Sequence, residues 1–150
     1  MKPYEIRETD LLISDDPALL DRVLIHRFLS ERSYWAQGVS REIVDRSLEH
    51  SLCFGVYQGA KQTGFARVVT DFATFAWLAD VFIVEEKRGR GFGQKLVAAV
   101  LAHPRLHGLR RIMLGTRDAH GLYARSGFKP LAFPERFMEI RPENSYKCGC

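Results

Sequence analysis

Behind Asp16 and Pro17, the apolar positions Leu19, Leu20, Val23, Leu24 and Phe28 recur three and four residues apart. An aspartate that can accept free amide hydrogens, followed by a proline whose fixed φ suits a first turn, predicts a helix over residues 16–30. Ser40 caps a second helix that carries Ile43, Val44 and Leu48 on one face. Between the two lies a segment holding Tyr34, Trp35, Gln37 and Gly38, read as a loop free to move.

The period then changes to that of strands. Residues 4–7 and 11–14 are short strand candidates around the polar turn Glu8, Thr9, Asp10. Residues 51–57 and 63–70 flank Gln58-Gly-Ala-Lys61, a hairpin signal. Residues 75–84 are apolar on both alternating faces except at Asp80, as expected of a central strand covered on both sides. A helix marked by Phe92, Leu96, Val97 and Val100 must stop before Pro104, which has no amide hydrogen to donate. A strand over residues 111–116, a short helix over 119–126 stopped by Gly127, and an antiparallel pair at 128–133 and 137–141 complete the expectation. The pattern is that of an α/β chain with a mixed sheet: one domain over residues 1–142 and a short tail over 143–150.

Composition adds exclusions. With 46% apolar and 27% charged residues in 150, the chain matches one ordinary globular domain with a sizeable core. No run of about 18 uncharged apolar residues exists and residues 1–10 lack a signal-peptide core, which leads to the expectation of a cytoplasmic protein with no membrane partner. Cys53 sits in an apolar run and Cys148 and Cys150 in the closing tail, a set without disulfide or zinc spacing, so no metal is expected. The net charge of +4 is a small excess, not a basic stripe.

The densest chemistry lies in Lys87-Arg-Gly-Arg-Gly-Phe-Gly-Gln-Lys95, between the apolar strand and a helix start. Glycines permit positive φ and close approach of a phosphate to the main chain, while free amides and the helix dipole favour negative charge. Arg88 and Arg90 add full charges to that cradle. Neither the dinucleotide fingerprint nor the P-loop fits, because Gln94 and Leu96 stand where further glycines belong and no Gly-Lys-Ser/Thr follows. Arg90-Gly-Phe-Gly opens like an RNA-recognition motif, but Gln94 to Val97 continue as a helix and not as an aromatic strand.

At Arg88, Gly91 and Gly93, and again at Leu122-Tyr-Ala-Arg-Ser-Gly-Phe128, the chain resembles the GNAT acetyltransferase superfamily over most of its length. The resemblance implies a central, mostly antiparallel sheet flanked by about four helices. It also implies acetyl-CoA as co-substrate, its pantetheine arm lying along Phe82, Ile83 and Val84 as a false strand in a splay between this strand and residues 111–116. The pyrophosphate would rest on amides of Gly89, Arg90, Gly91, Phe92, Gly93 and Gln94 beside Arg88.

Tyr123 stands where the family often protonates the departing thiolate, and Asp80 near where an acid draws a proton from the amine. A buried carboxylate is costly when unpaired, so Asp80 has either that function or a partner such as an arginine. His120 is a further candidate base, and Asp71 reads as a turn residue. The resemblance puts Tyr34, Trp35 and Gln37 over the acceptor, with Phe75 and Trp77 as additional candidates.

The implied activity is acetyl transfer to a primary amine, of a small molecule or of a protein or peptide, by direct attack; Cys53 lies in a strand and no serine stands in a nucleophile elbow. Two other readings are a silent CoA-binding sensor and, with less support, a basic nucleic-acid-binding domain whose affinity would fall steeply with salt. Phe133, Phe137 and Met138 in the final strands could pair between chains as a homodimer.

Overall fold

The computed structural model describes residues 2–143; the Cys148 and Cys150 tail lies outside them. Six strands form one sheet in sequential order: β1 (Glu5–Glu8), β2 (Leu11–Ser14), β3 (Leu52–Gln58), β4 (Lys61–Thr70), β5 (Phe75–Ile83) and β6 (Arg111–Met113). The first five are antiparallel neighbours and β6 runs parallel to β5. The first helical segment is broken in two. Asp16 caps only a single turn, Pro17–Leu19, after which Leu20 and Asp21 are extended. Asp21 then caps α1 (Arg22–Arg27) through Leu24 N–H while its own N–H donates to Gln62, so a contact to the sheet overrides the local helical period. A π turn, Phe28–Arg32, prolongs α1, and Ser40 caps α2 (Arg41–Glu49) through Ile43 N–H.

Both faces of the sheet are covered. α1, its π turn and α2 pack Ile25, Phe28, Leu29, Val44 and Leu48 against Cys53, Phe65 and Phe82. On the other face α3 (Phe92–Leu101) and α4 (His120–Ala124) bring Leu96, Val97, Val100 and Tyr123 against Phe54, Val56, Ala66 and Leu78. Each fully buried aliphatic or aromatic side chain here contributes about 1.5–3 kcal/mol relative to exposure. That two-sided burial explains why β3, β4 and β5 read as near-continuous apolar runs.

The closing antiparallel pair expected at residues 128–133 and 137–141 does not form. Pro130 removes a ladder donor within it, and between the two expected strands Pro134–Arg136 coils into a single 3-10 turn. The strand expected over residues 111–116 ends at Met113, because β5 and β6 part beyond Trp77.

Candidate active site

The opening between strands starts at a defect in the β4–β5 ladder. Phe65 faces Phe82 and Arg67 faces Ala79, so Asp80 and Val81 together oppose Ala66 as a bulge, and Asp80 takes φ 54°. Aspartate tolerates this left-handed geometry better than most side chains. On the other side β5 pairs with β6 only through Phe75, Ala76 and Trp77, leaving the edge from Leu78 to Ile83 without a β6 partner. A cleft of about 1080 Å³ occupies the gap.

The edge leads into the glycine-rich turn. After the 3-10 turn Glu85–Lys87, Gly89 and Gly91 adopt φ 79° and 80°, and an added Cβ at either would meet only open space. Gly91 is the N-cap of α3 and supplies no side chain, so the first-turn amides of that helix have no side-chain acceptor and no acidic residue beside them. Free amides at a helix start attract an anion. Arg88 donates from Nε to Ile83 O at 3.1 Å, tying the turn to the strand end.

Of the ten residues expected to hold the cofactor, Phe82, Ile83, Arg88, Gly89, Gly91, Phe92 and Gly93 border the cleft. Val84 is buried beside it with its N–H bonded to Thr63 O at 2.8 Å. Arg90 is exposed outside the lining. Gln94 turns its side chain away to donate to Ser126 Oγ at 2.8 Å, bracing α3 against the residues after α4.

Tyr123 borders the same cleft from α4 and is 8% exposed. Burial, followed by the nearby Tyr34 phenol, pushes its hydroxyl up to about 12 from the ordinary 10.0, so it remains a proton donor at neutral pH.

Asp80 is both cleft-lining and partnered. Oδ2 accepts from Arg67 Nε and Oδ1 from Trp35 Nε1, each at 2.7 Å, and Arg67 Nη1 donates onward to Ser51. The ion pair is mostly sheltered, with 19% and 10% of the Arg67 and Asp80 side chains exposed. A carboxylate has about four lone-pair sites, so two remain for a ligand or water.

Tyr34, Trp35 and Trp77 form the outer wall. Tyr34 Oη accepts from Arg117 N at 2.7 Å beneath the Arg117 guanidinium, 3.9 Å from the ring centre. Trp35 meets Tyr34 edge-on at 5.0 Å, and the Trp77 ring lies over Gly115. The segment carrying Tyr34 and Trp35 is tied down. Ser33 Oγ bonds Leu29 O and Ala36 N, Gly38 N bonds Ser30 O, and His26 Nε2 contacts Val39 O at 3.0 Å. Gln37 and Phe75 do not line the cleft, and His120 faces a different cavity. Asp71 is the turn residue expected: one carboxylate oxygen collects the amides of Ala73, Thr74 and Phe75, which hold the group well below the usual carboxylate range.

Sequence reasoning missed Arg67, Arg117, Glu139 and Arg141, all of which line the cleft. Arg67 carried one signal, as a charge inside an otherwise apolar strand that needs a partner.

Comparison with known proteins identifies relatives of this arrangement. The family model described as "Acetyltransferase (GNAT) family" matches residues 22–128. A protein of Gibberella zeae named as a putative acetyltransferase is 31% identical, with 83% of this chain and 82% of the other covered. A crystal structure from Xanthomonas campestris pv. campestris, described as a putative acetyltransferase belonging to the GNAT family, is 48% identical with a TM-score of 0.90, covering 95% of this chain and all of the other. At the level of fold alone, N-acetylglutamate synthase from Neisseria gonorrhoeae, complexed with coenzyme A and N-acetyl-glutamate, superposes with a TM-score of 0.61 at 19% identity, over 82% of this chain and 29% of that one.

Proposed function

The chain belongs to the GNAT acetyltransferase family, and from that membership we propose that it transfers an acetyl group from acetyl-CoA to a primary amine by direct attack. One observation carries the reading: the open β5 edge from Leu78 to Ile83 leads into amides at Gly89 to Gly93, with the Tyr123 phenol bordering the same gap.

This geometry fits the co-substrate. The unpaired backbone of β5 suits an extended amide-bearing arm, and the open space over Gly89 and Gly91 suits a pyrophosphate. When bound, acetyl-CoA supplies an activated thioester carbonyl and a thiolate leaving group. The Tyr123 hydroxyl is then positioned to donate to the departing sulfur, whose acid has a reference pKa near about 8.5. Asp80, kept in place by Arg67 and Trp35, offers its two remaining lone-pair sites to the amine or to a water that carries off its proton. Tyr34, Trp35 and Trp77 exclude water from the acceptor and orient it.

Calorimetry of acetyl-CoA with the native protein and with Gly91→Glu tests the proposal. Binding that the variant loses, followed by thiol release with a panel of small amines and peptides, is expected. A folded native protein that binds no acetyl-CoA would refute it.

A further inference from the structure

The surplus charge of the cleft is positive. Its acids, Asp80, Asp118 and Glu139, are each paired with an arginine, at Arg67, Arg117 and Arg141. Arg32, Lys87 and Arg88 line the same space, and among the described residues none has a carboxylate within ion-pair distance. Lys87 and Arg88 lead into the glycine-rich turn, whereas Arg32 ends the π turn that carries Phe28 and Leu29. A polyamine entering here meets no unpaired acid, while an acceptor with an anionic group gains from the field.

Arg67 is the sheltered cation of the set. It borders the cleft from β4 beside Asp80, and its side chain is 19% exposed. Nε donates to Asp80 Oδ2 and Nη1 to Ser51 Oγ, which uses two of the five N–H donors of a guanidinium. The others, both on Nη2 among them, have no acceptor among the described residues. Unmatched donors in a sheltered place carry a desolvation cost that an incoming carboxylate relieves, and the planar fork takes a carboxylate through paired hydrogen bonds. Asp80 keeps two lone-pair sites free at the same time. A negative and a positive group, 2.7 Å apart, thus each hold unused capacity, and their complement is a zwitterion whose ammonium and carboxylate stand one carbon apart. Leu29, Val39, Ile43 and Val44 add an apolar wall to the same cleft.

Resting on the acetyl transfer proposed above, we propose that the acceptor is a free α-amino acid with an apolar side chain. Its ammonium meets Asp80, its carboxylate Arg67, and its side chain the wall formed by Leu29, Val39, Ile43 and Val44. The ammonium passes one proton through Asp80 or a water to solvent. The nitrogen lone pair then forms the bond to the thioester carbonyl carbon, the carbon–sulfur bond breaks, and a second proton lost by the nitrogen balances the one taken up by the thiolate. The product amide has no positive charge, so its attraction to Asp80 is gone and its release is favoured.

The test uses the native chain with valine, leucine, methionine, phenylalanine and tryptophan, each beside its carboxamide, in which the carboxylate is neutral. Calorimetry with coenzyme A already bound reads acceptor affinity without turnover, and thiol release with acetyl-CoA reads kcat/KM. At least one free acid is expected to bind and to exceed its amide by at least about tenfold in both, the discrimination that a hydrogen-bonded charge provides. Arg67→Gln, checked for folding by circular dichroism and for acetyl-CoA binding, should bring that ratio to within about twofold of one. The ratio cancels any loss through Asp80 that both acceptors share, and if the variant does not fold, the native series decides. Amides equal to or better than the acids would overturn the proposal, as would a folded variant that keeps the native ratio. A protein that binds acetyl-CoA and acetylates none of the five acids overturns it while leaving acetyl transfer standing, whereas failure to bind acetyl-CoA removes both.

Discussion

Trp35 and Asp80 meet as indole N–H and carboxylate at 2.7 Å, joining the loop between α1 and α2 to the bulge that opens β5. Arg67 occupies the other carboxylate oxygen at the same distance, so the loop and β4 both converge on this one side chain of β5. The loop over the cleft is therefore held against the strand, and its position depends on Asp80.

Trp35→Phe keeps the ring and deletes the N–H. Loss of a hydrogen bond to a charged acceptor costs about 1.5–3 kcal/mol, and urea unfolding should register a decrease of that order. If Trp35 also orders the acceptor wall, KM for the amine should rise several-fold while acetyl-CoA affinity measured by calorimetry stays within twofold. Equal weakening of both would place Trp35 on the cofactor side instead.

Asp80→Ala should be more damaging than Asp80→Asn. Alanine strands the sheltered Arg67 charge, a loss on the order of 3 kcal/mol, and adds strain of roughly 1 kcal/mol at φ 54°. Asparagine retains an acceptor and tolerates the left-handed region. The measurement is the order of the two midpoints in urea; alanine equal to or better than asparagine would show that neither a side-chain acceptor nor the left-handed backbone geometry matters here.

The contrast between Asp80 and the Arg88 to Gly93 turn explains what was legible in the sequence. A turn announces itself locally, since Gly89 and Gly91 occupy positive φ and only glycine does so readily. The Arg67–Asp80 pair depends on strand register across a bulge, which no local pattern encodes. The same limit produced the unformed strands at 128–133 and 137–141: alternation predicts an extended chain, but a ladder needs a neighbour, and β6 ends at Met113. The first helix split for a related reason, as Gln62 from β4 captures the Asp21 amide.

Gly91→Ala separates strain from obstruction. An added methyl would meet no atom within 4 Å, so its cost comes from φ 80° alone, roughly 1–2 kcal/mol. In a chain of this size that lowers Tm by about 2–8 °C. Much greater loss in a thermal melt would indicate packing at the turn that the open space over Gly91 does not suggest.

Cys53 bears on the choice between direct attack and a covalent acetyl-enzyme. The residue is 6% exposed, and burial pushes its thiol pKa up to about 12 from 9.0. Thiolate, the reactive form, is then scarce at neutral pH. Peptide mapping after iodoacetamide treatment should find Cys53 unmodified in the native protein and labelled after unfolding, and Cys53→Ala should retain kcat within about twofold. An acetylated Cys53 trapped during turnover would replace direct attack with a two-step route.

Tyr123 gives a pH-dependent test. Its folded-state pKa of about 12 lies above the unfolded value of 10.0, so the folded chain holds this proton more tightly. The associated stability is complete below pH 10.0 and is lost as pH rises toward about 12, because over that window unfolding releases a proton that the folded chain retains. Ultraviolet titration of native protein minus Tyr123→Phe should isolate a phenol ionising on the alkaline side of free tyrosine. If the phenol donates to the leaving sulfur, Tyr123→Phe should lower kcat by about 10²–10⁴, with acetyl-CoA affinity nearly unchanged. The native rate should then show no loss attributable to this group until pH exceeds 10.0. A variant that keeps full kcat would assign the tyrosine to packing against Phe128, whose ring centre is 5.9 Å away, and leave thiolate protonation to solvent.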